Sequence, residues 1–454
     1  MKKLLKEYIK ERARKLKRPI CVSLLGFGST NKSILDALLG SPDAAKITVR
    51  NRTAVPLPSG VTPICGAVHL ADMWEDVFFA SPSLRREELK LPDGSEITSD
   101  TEIFFKSVEK DLFLISGSDG KSTTTTLSSL LLAPAFPRLF TGGNLGIPVA
   151  SASLLSDAFV LELSSFNLRY SAPRGGRALI TNLTPNHLDW HKDFQEYMEC
   201  KLRLLDSADE PIISLSCPAL SAVAEKKESF ALVSDTMTSK EIRASYRTEH
   251  TVTLEGDNIS IDANPVINVS EVARNEKHNL RNLMSAIAMS IGYTSRERIR
   301  EVALSFCGLE HRCEGFTCDG IDFINSSIDT TPDRARVTLE SLGRRATVIL
   351  GGRGKGLSPD PLRDPLIKYA ERIIVYGEVA GEMIEWIDSD RELSLIPHTA
   401  HGTLGEAIDS ASVCAKRGDT VIFAPAATSY GEFSSYAERG AFFKSQIEKI
   451  YRKI

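Results

Sequence analysis

Short apolar runs recur along the chain, and most end in a glycine- or hydroxyl-rich turn that opens a helical period. Residues 19–25 suit a buried strand, Gly26-Phe27-Gly28-Ser29-Thr30 a turn, and Ile34, Leu35, Leu38 and Leu39 one face of a helix. Residues 46–49 read as a second strand, running into Arg50-Asn51-Arg52. Strand, turn, helix and strand make a βαβ opening whose helix N-terminus suits an anion. Asn31 stands where a full G-x-G-x-x-G would carry its third glycine, so a purely structural turn also satisfies this pattern. A second block starts with the strand 111–115, continues through Gly117-Ser118-Asp119-Gly120-Lys121-Ser122 and enters a helical run to Leu132. A third block alternates strand-like runs at 321–324, 346–350, 373–376 and 420–423 with helical patterns such as 334–342 and 404–415. Regular alternation of this kind predicts a doubly wound α/β sheet with its sites at the carboxyl ends of the strands. The polar, alternating stretch 229–272 is expected to form a smaller antiparallel excursion within the second block.

Composition narrows the function. With 55 basic and 59 acidic side chains in 454 residues, the chain does not advertise a nucleic-acid surface. The basic segment 2–18 also carries Glu7 and Glu11 and reads as a solvated amphipathic helix. No run approaches the roughly 18 apolar residues of a membrane span, so a cytoplasmic protein without membrane or nucleic-acid partners is expected. The eight cysteines form no CxxC pair, and buried or half-buried free thiols are the expected reading.

The chemistry gathers at strand ends. Glycines at 117 and 120 would let backbone N–H groups approach phosphates, Lys121 adds a charge, and Ser122 offers a hydroxyl to Mg²⁺. The loop is a shortened form, with Gly117 only three residues before Gly120, but a strand before it and a helix after it point to nucleotide binding. Glu162 lies inside the apolar run 159–163, where a carboxylate needs a cation or a structural partner. His187 and Asp189 follow the strand 178–182 and could serve metal or phosphate chemistry or simply hold a loop. By spacing alone, Lys201 is a snorkelling lysine on a helix with Tyr197. Asn279 and Asn282 share a helix face that could reach a planar ligand or cap the helix. Arg312 suits a phosphate clamp or an exposed surface.

The ordered set Gly117 to Thr123, Gly143-Asn144-Leu145-Gly146-Ile147-Pro148, Leu161 to Phe166, Asn182 to Trp190, His278-Asn279 and His311-Arg312 resembles the Mur ligases over nearly the whole chain. The resemblance implies an α/β protein of three domains. These would be an N-terminal Rossmann-like UDP-sugar domain (1–106), a central P-loop ATPase (107–309) and a C-terminal Rossmann-like domain that receives an amino acid (310–454). It implies ATP-dependent amide formation through an acyl-phosphate in peptidoglycan precursor synthesis. Gly117, Ser118, Asp119, Gly120, Lys121, Ser122 and Thr123 would hold the ATP phosphates, with Asn279 and Asn282 on the adenine side and Arg312 as the clamp. Two Mg²⁺ ions would be held through Ser122, Glu162, His187 and Lys201, the last as a carbamate. Ser29, Thr30 and Arg52 would bind the uridine diphosphate and Asn144 the muramoyl part.

Thr330, Lys355, Ser429 and Tyr436 match positions around the incoming amino acid, and residues 424–430 and 438–440 resemble the D-glutamate-adding branch. UDP-N-acetylmuramoyl-L-alanine, D-glutamate and ATP are therefore the expected substrates of an expected monomer. The diaminopimelate- or lysine-adding branch carries a D-N-P-R motif that this chain lacks. Asn325-Ser326-Ser327-Ile328-Asp329 departs from the commoner N-D-S-K-A, removing an acidic ribose contact and a lysine. A sister ligase using another amino acid, or a catalytically silent UDP-sugar-binding protein, are the rival readings. The joint presence of Lys121, Glu162, His187, Lys201 and Arg312 speaks against the second.

Overall fold

The computed structural model describes residues 1–66, 70–171, 173, 175–188, 190–306 and 308–451. Two compact units divide the chain, Met1–Phe306 and Cys307–Ile454. No described helix is long and apolar enough to cross a membrane.

The first unit opens with α1 (Lys2–Leu16), whose Leu5, Ile9 and Ala13 are buried at helical spacing while its lysines face outward. Five strands follow: β1 (Ile20–Leu25), β2 (Ala44–Asn51), β3 (Val61–Cys65), β4 (Val77–Ala80) and β5 (Glu96–Thr98). They form a wholly parallel sheet in the order β3-β2-β1-β4-β5. The strands β3 and β5 carry too few consecutive apolar residues to be read from the sequence. Helix α2 (Ser29–Leu38) follows β1, and α3 (Asp100–Ser107) closes the sheet.

A nine-stranded sheet fills the rest of this unit. Its strands are β6 (Asp111–Ser116), β7 (Leu139–Gly143), β8 (Ala158–Glu162), β9 (Arg177–Ile180), β10 (Glu210–Ser214), β11 (Ser229–Ser234), β12 (Thr248–Glu255), β13 (Asn258–Ile261) and β14 (Asn264–Asn268). Their order is β14-β13-β12-β11-β10-β9-β6-β8-β7. The helices are α4 (Lys121–Leu132), α5 (Ser165–Tyr170), α6 (Phe194–Asp206), α7 (Pro218–Ala224), α8 (Ser239–Ser245), α9 (Lys277–Ser290) and α10 (Arg296–Ser305). The expected antiparallel excursion is corrected here: β11 pairs parallel with both β10 and β12, and only β12, β13 and β14 run antiparallel, extending the same sheet. The turn residues Gly256-Asp257 and Asp262-Ala263 close those two hairpins, which the polar alternation alone could not assign to a sheet. Strand β6 lies between β9 and β8, so the chain leaves it in one direction toward β7 and β8 and later returns on its other side to β9. That reversal puts the segment after β6 at a topological switch point, where such sheets bind ligands.

The two sheets of the first unit share apolar contacts. Phe104 of α3 meets Phe159 of β8 edge-on at 4.9 Å. The buried Asp100 carboxylate accepts the Ala150 N–H at 2.8 Å, just past the segment that carries Asn144. Burial raises the Asp100 carboxyl from 3.8 to about 6 against these hydrogen bonds. The folded state then binds this proton more tightly than the unfolded chain. The stabilisation is full below about pH 3.8 and is lost as pH rises to about 6. Two pKa units correspond to about 3 kcal/mol. Asp100→Asn keeps the acceptor and removes the titration. The melting temperature of the wild type minus that of the variant is therefore expected to fall between pH 4 and pH 6.5. A difference that stays flat over this range would show that Asp100 is not held in this state.

The second unit holds β15 (Glu314–Cys318), β16 (Ile321–Asn325), β17 (Ala346–Gly351), β18 (Ala370–Tyr376), β19 (His398–His401) and β20 (Thr420–Ala426). Their order is β15-β16-β20-β17-β18-β19, parallel except for the β15–β16 hairpin. Helices α11 (Pro332–Leu342), α12 (Arg363–Tyr369), α13 (Ala380–Ser389), α14 (Leu404–Cys414) and α15 (Tyr436–Tyr451) complete it. The expected cysteine burial needs one correction: Cys414 is exposed, at the end of α14, and Cys307 lies outside the described residues.

Candidate functional site

The loop 117–120 is shaped by close backbone packing. Gly117 has φ 144° and Gly120 φ 76°. A Cβ at Gly117 would overlap the Thr181 hydroxyl, and one at Gly120 the Asn282 carboxamide. Thr181 Oγ1 donates to the Asp119 carbonyl at 2.6 Å. Asn182 Oδ1 accepts the Asp119 N–H at 2.9 Å, so the end of β9 holds the loop from one side. Ser118 Oγ lies 2.8 Å from Tyr197 Oη and donates to the Thr184 carbonyl at 2.9 Å. Ser122 and Thr123 occupy the first turn of α4, and Lys121 Nζ donates to the Ser118 carbonyl at 2.7 Å. The sequence does not mark Tyr197, Thr181 and Asn182 as supports of the loop, because their hydrogen bonds to it cross 60 to 80 residues of chain.

Two ionisable side chains are buried inside this framework. Glu162, at the end of β8, is 2% exposed. One carboxylate oxygen accepts Asn144 Nδ2 at 3.0 Å, and the other is buried with no hydrogen-bond partner among the described residues. Among the described residues no side-chain cation pairs with Glu162, so the structural ion pair is not formed. Lys201 is also 2% exposed, not snorkelling as its helical spacing predicted. Its Nζ donates to the Gly117 carbonyl at 2.8 Å and to Ser116 Oγ at 3.2 Å, and lies 4.8 Å from the centre of the Tyr197 ring. Burial drives its ammonium well below the usual lysine range, the Lys121 charge pushes the same way, and Glu162 opposes both.

His187 is exposed on the following loop at φ 55°, its ring 4.9 Å from Phe166. Trp190 packs on the same phenylalanine and donates its indole N–H to the Ser83 carbonyl at 2.7 Å. Asp189, which the sequence paired with His187, lies outside the described residues. Among the described residues no three His, Cys, Asp or Glu side chains cluster to hold a metal. The buried Glu162 oxygen without a partner among the described residues fits a hard cation, to which the Ser122 hydroxyl and His187 would add donors.

The asparagines of α9 diverge. Asn282 is buried against Gly120, with Thr124 Oγ1 donating to its carbonyl oxygen at 3.4 Å, while Asn279 Nδ2 donates to Glu276 at 2.9 Å. In the five-stranded sheet, Ser29 and Thr30 open α2, and Arg52 is exposed past the end of β2. Asn31, the residue in the third glycine's place, donates to the Leu25 and Gly26 carbonyls at 3.0 and 2.8 Å. An amide thus holds the turn that a glycine holds elsewhere.

In the second unit Lys355 Nζ donates to Thr330 Oγ1 at 3.3 Å. Ser429 is buried and Tyr436 starts α15. Their loops are tied by paired backbone hydrogen bonds between Arg353 and Thr428, both 2.9 Å. The fully buried Arg439 donates to Ser327 Oγ, the Ser327 carbonyl and the Ala427 carbonyl at 3.1, 2.9 and 3.0 Å. Arg312 is half-buried, and its guanidinium makes no hydrogen bond or ion pair among the described residues.

The Mur ligase middle domain profile matches residues 115–290, the span from the phosphate loop to the end of α9. A UDP-N-acetylmuramoylalanine--D-glutamate ligase of Clostridium tetani is 32% identical over 390 residues, 83% of each chain. One of Acetivibrio thermocellus is 30% identical over 390 residues with the same coverage. The chain belongs to the Mur ligase family. The fold agrees: MurF of Acinetobacter baumannii superposes with a TM-score of 0.54 over 94% of this chain and 90% of its own, at 14% identity. In this Mur ligase, therefore, the loop 117–123 sits in the domain that gives the family its profile.

Proposed function

We propose that this Mur ligase joins D-glutamate to UDP-N-acetylmuramoyl-L-alanine, with ATP converted to ADP and phosphate through an acyl-phosphate. The observation that supports the chemistry best is the burial beside the loop 117–120 of Glu162, with one oxygen unpartnered among the described residues, and of Lys201, held as an amine on the Gly117 carbonyl. The choice of amino acid rests on the Clostridium tetani and Acetivibrio thermocellus relatives, both named as D-glutamate ligases. The proposed domains are 1–106 for the UDP-sugar, 107–309 for ATP and 310–454 for the amino acid.

Three anionic reactants must meet, so the protein's part is to neutralise and orient them. Gly117 and Gly120 let Thr181 and Asn282 pack close and so set the backbone that receives the nucleotide phosphates, Lys121 supplies a cation to the transferring phosphoryl group, and Ser118, Thr123 and Asp119 complete the loop. Asn282 fixes the Gly120 turn, and Asn279 faces the base. Ser29, Thr30 and Arg52 take the uridine diphosphate, and Asn144 carries the muramoyl part while it holds Glu162. Ser122, Glu162, His187 and a carbamylated Lys201 would hold Mg²⁺, which supplies charge neutralisation and Lewis acidity at the phosphates. Arg312 steadies the phosphates, while Thr330, Lys355, Ser429 and Tyr436 receive the amino acid. Its amine then displaces phosphate from the activated acyl group, and exclusion of water protects that intermediate.

The test is ADP release with UDP-N-acetylmuramoyl-L-alanine against a panel of L- and D-amino acids. D-glutamate alone should support turnover; preference for lysine or diaminopimelate would overturn the substrate and leave the ligase standing. Lys355→Ala should raise the KM for D-glutamate about ten- to hundredfold, the worth of a charge-assisted hydrogen bond of about 1.5–3 kcal/mol. The KM for ATP should stay put, since the Lys355 ammonium serves one substrate only.

A further inference from the structure

Two cations of the Cys307–Ile454 unit share one loop without a paired anion. Lys355 donates to Thr330 at the end of segment 325–330. Arg334, in the first turn of α11, turns back over the same segment and sets Nη1 3.5 Å from the Ile328 carbonyl. Among the described residues neither Lys355 nor Arg334 forms an ion pair, whereas Arg353 is matched by Glu378 at 3.4 Å. The guanidinium of Arg439, whose field also reaches Lys355, is ligated by Ser327 and Ala427 oxygens. A buried acidic group that feels the Arg334 charge is Asp329, 5% exposed, with one oxygen unpartnered among the described residues. Its burial raises its pKa and so disfavours the charge that would neutralise the cluster. Burial first, then Arg334 and Arg439, push the Lys355 ammonium below the usual lysine range. Such repulsion is relieved when an anion enters between the cations.

We infer that Arg334 is a specificity-determining residue which, together with Lys355 and Thr330, receives one carboxylate of the incoming dicarboxylic amino acid. This rests on the D-glutamate reading above and adds a residue to it. A guanidinium offers a planar pair of N–H donors that matches a carboxylate, which the Lys355 ammonium cannot do alone. The loop has Ile328 in its middle and no lysine of its own, so the second positive charge at this place comes from α11.

The experiment measures steady-state kinetics of the full-length wild type, Arg334→Ala and Arg334→Lys with D-glutamate, D-glutamine and D-isoglutamine. Arg334→Ala should raise the KM for D-glutamate about tenfold or more, with the KM for ATP unchanged, and Arg334→Lys should recover part of the loss. The wild type should reject one of the two amides more strongly than the other, which identifies the carboxylate concerned, and Arg334→Ala should lose that preference. A purely structural arginine would not alter the choice between amides. A turnover-free arm follows acylation of Lys355 by peptide mass spectrometry. D-glutamate should protect Lys355 in the wild type and protect it less in Arg334→Ala. A D-glutamate KM within twofold of wild type, or undiminished protection in Arg334→Ala, overturns the inference. If the wild type releases no ADP in response to D-glutamate, the proposed function fails, and the protection arm still decides. Protection by D-glutamate or glutarate that weakens in Arg334→Ala upholds a carboxylate site, and no protection of the wild type removes it.

Discussion

Lys121→Ala is expected to lower turnover about a hundred- to a thousandfold, the usual loss when one preorganised donor to a charge-developing oxygen is removed. The side chain opens α4 from a half-buried position, and alanine is at least as good a helix former there. The substitution removes the Lys121 hydrogen bond to the Ser118 carbonyl, but those made by Thr181, Asn182 and Ser118 remain. The fold should therefore be kept, with a circular dichroism spectrum and melting temperature close to wild type. ADP release under saturating substrates reads the effect. A variant with near-normal turnover would take the loop 117–123 out of the reaction.

The same loop shows why part of the site could be read from sequence and part could not. Glycine, lysine and hydroxyl residues between an apolar strand and a helical run form a local signal, carried within about fifteen residues. What holds the loop is remote: Thr181 fills the space left by Gly117, and Asn282 that left by Gly120. No periodicity encodes a partner that distant. Lys201 makes the point most sharply. Its spacing on α6 is that of an ordinary amphipathic lysine, and only the position of Gly117 over that helix turns it into a buried amine.

In the third sheet the four apolar strands were legible, but Glu314–Cys318 and His398–His401 were not, because edge strands need only one apolar neighbour and alternate with polar residues. Arg439 similarly looks like one charge in an exposed helix start. Its burial follows from carbonyls delivered by the ends of β16 and β20.

Lys201→Ala is expected to abolish turnover, and a short-chain carboxylate added to the assay should restore part of it. Addition of CO₂ to the neutral amine forms an N–C bond, releases one proton and leaves a carbamate anion where the uncharged amine stood. The reaction needs the neutral amine. Two features of the fold supply it: the near-complete burial of Lys201, and Lys121, whose charge disfavours a second ammonium nearby. A carbamate would add negative charge within the electrostatic reach of Glu162, whose free oxygen has no partner among the described residues, and two such anions suit a hard cation. Alanine removes the stem and the anion, leaving a cavity bordered by Tyr197 and the Ser116 hydroxyl, in which a small carboxylate can stand for the missing group. Lys201→Arg fills the cavity with a permanent cation and should be inactive without rescue. In the wild type, ¹³CO₂ should give a carbamate resonance that disappears in Lys201→Ala. Absence of that resonance in active protein, together with failure of every short carboxylate to rescue the alanine variant, would reduce Lys201 to a structural amine on the Gly117 carbonyl.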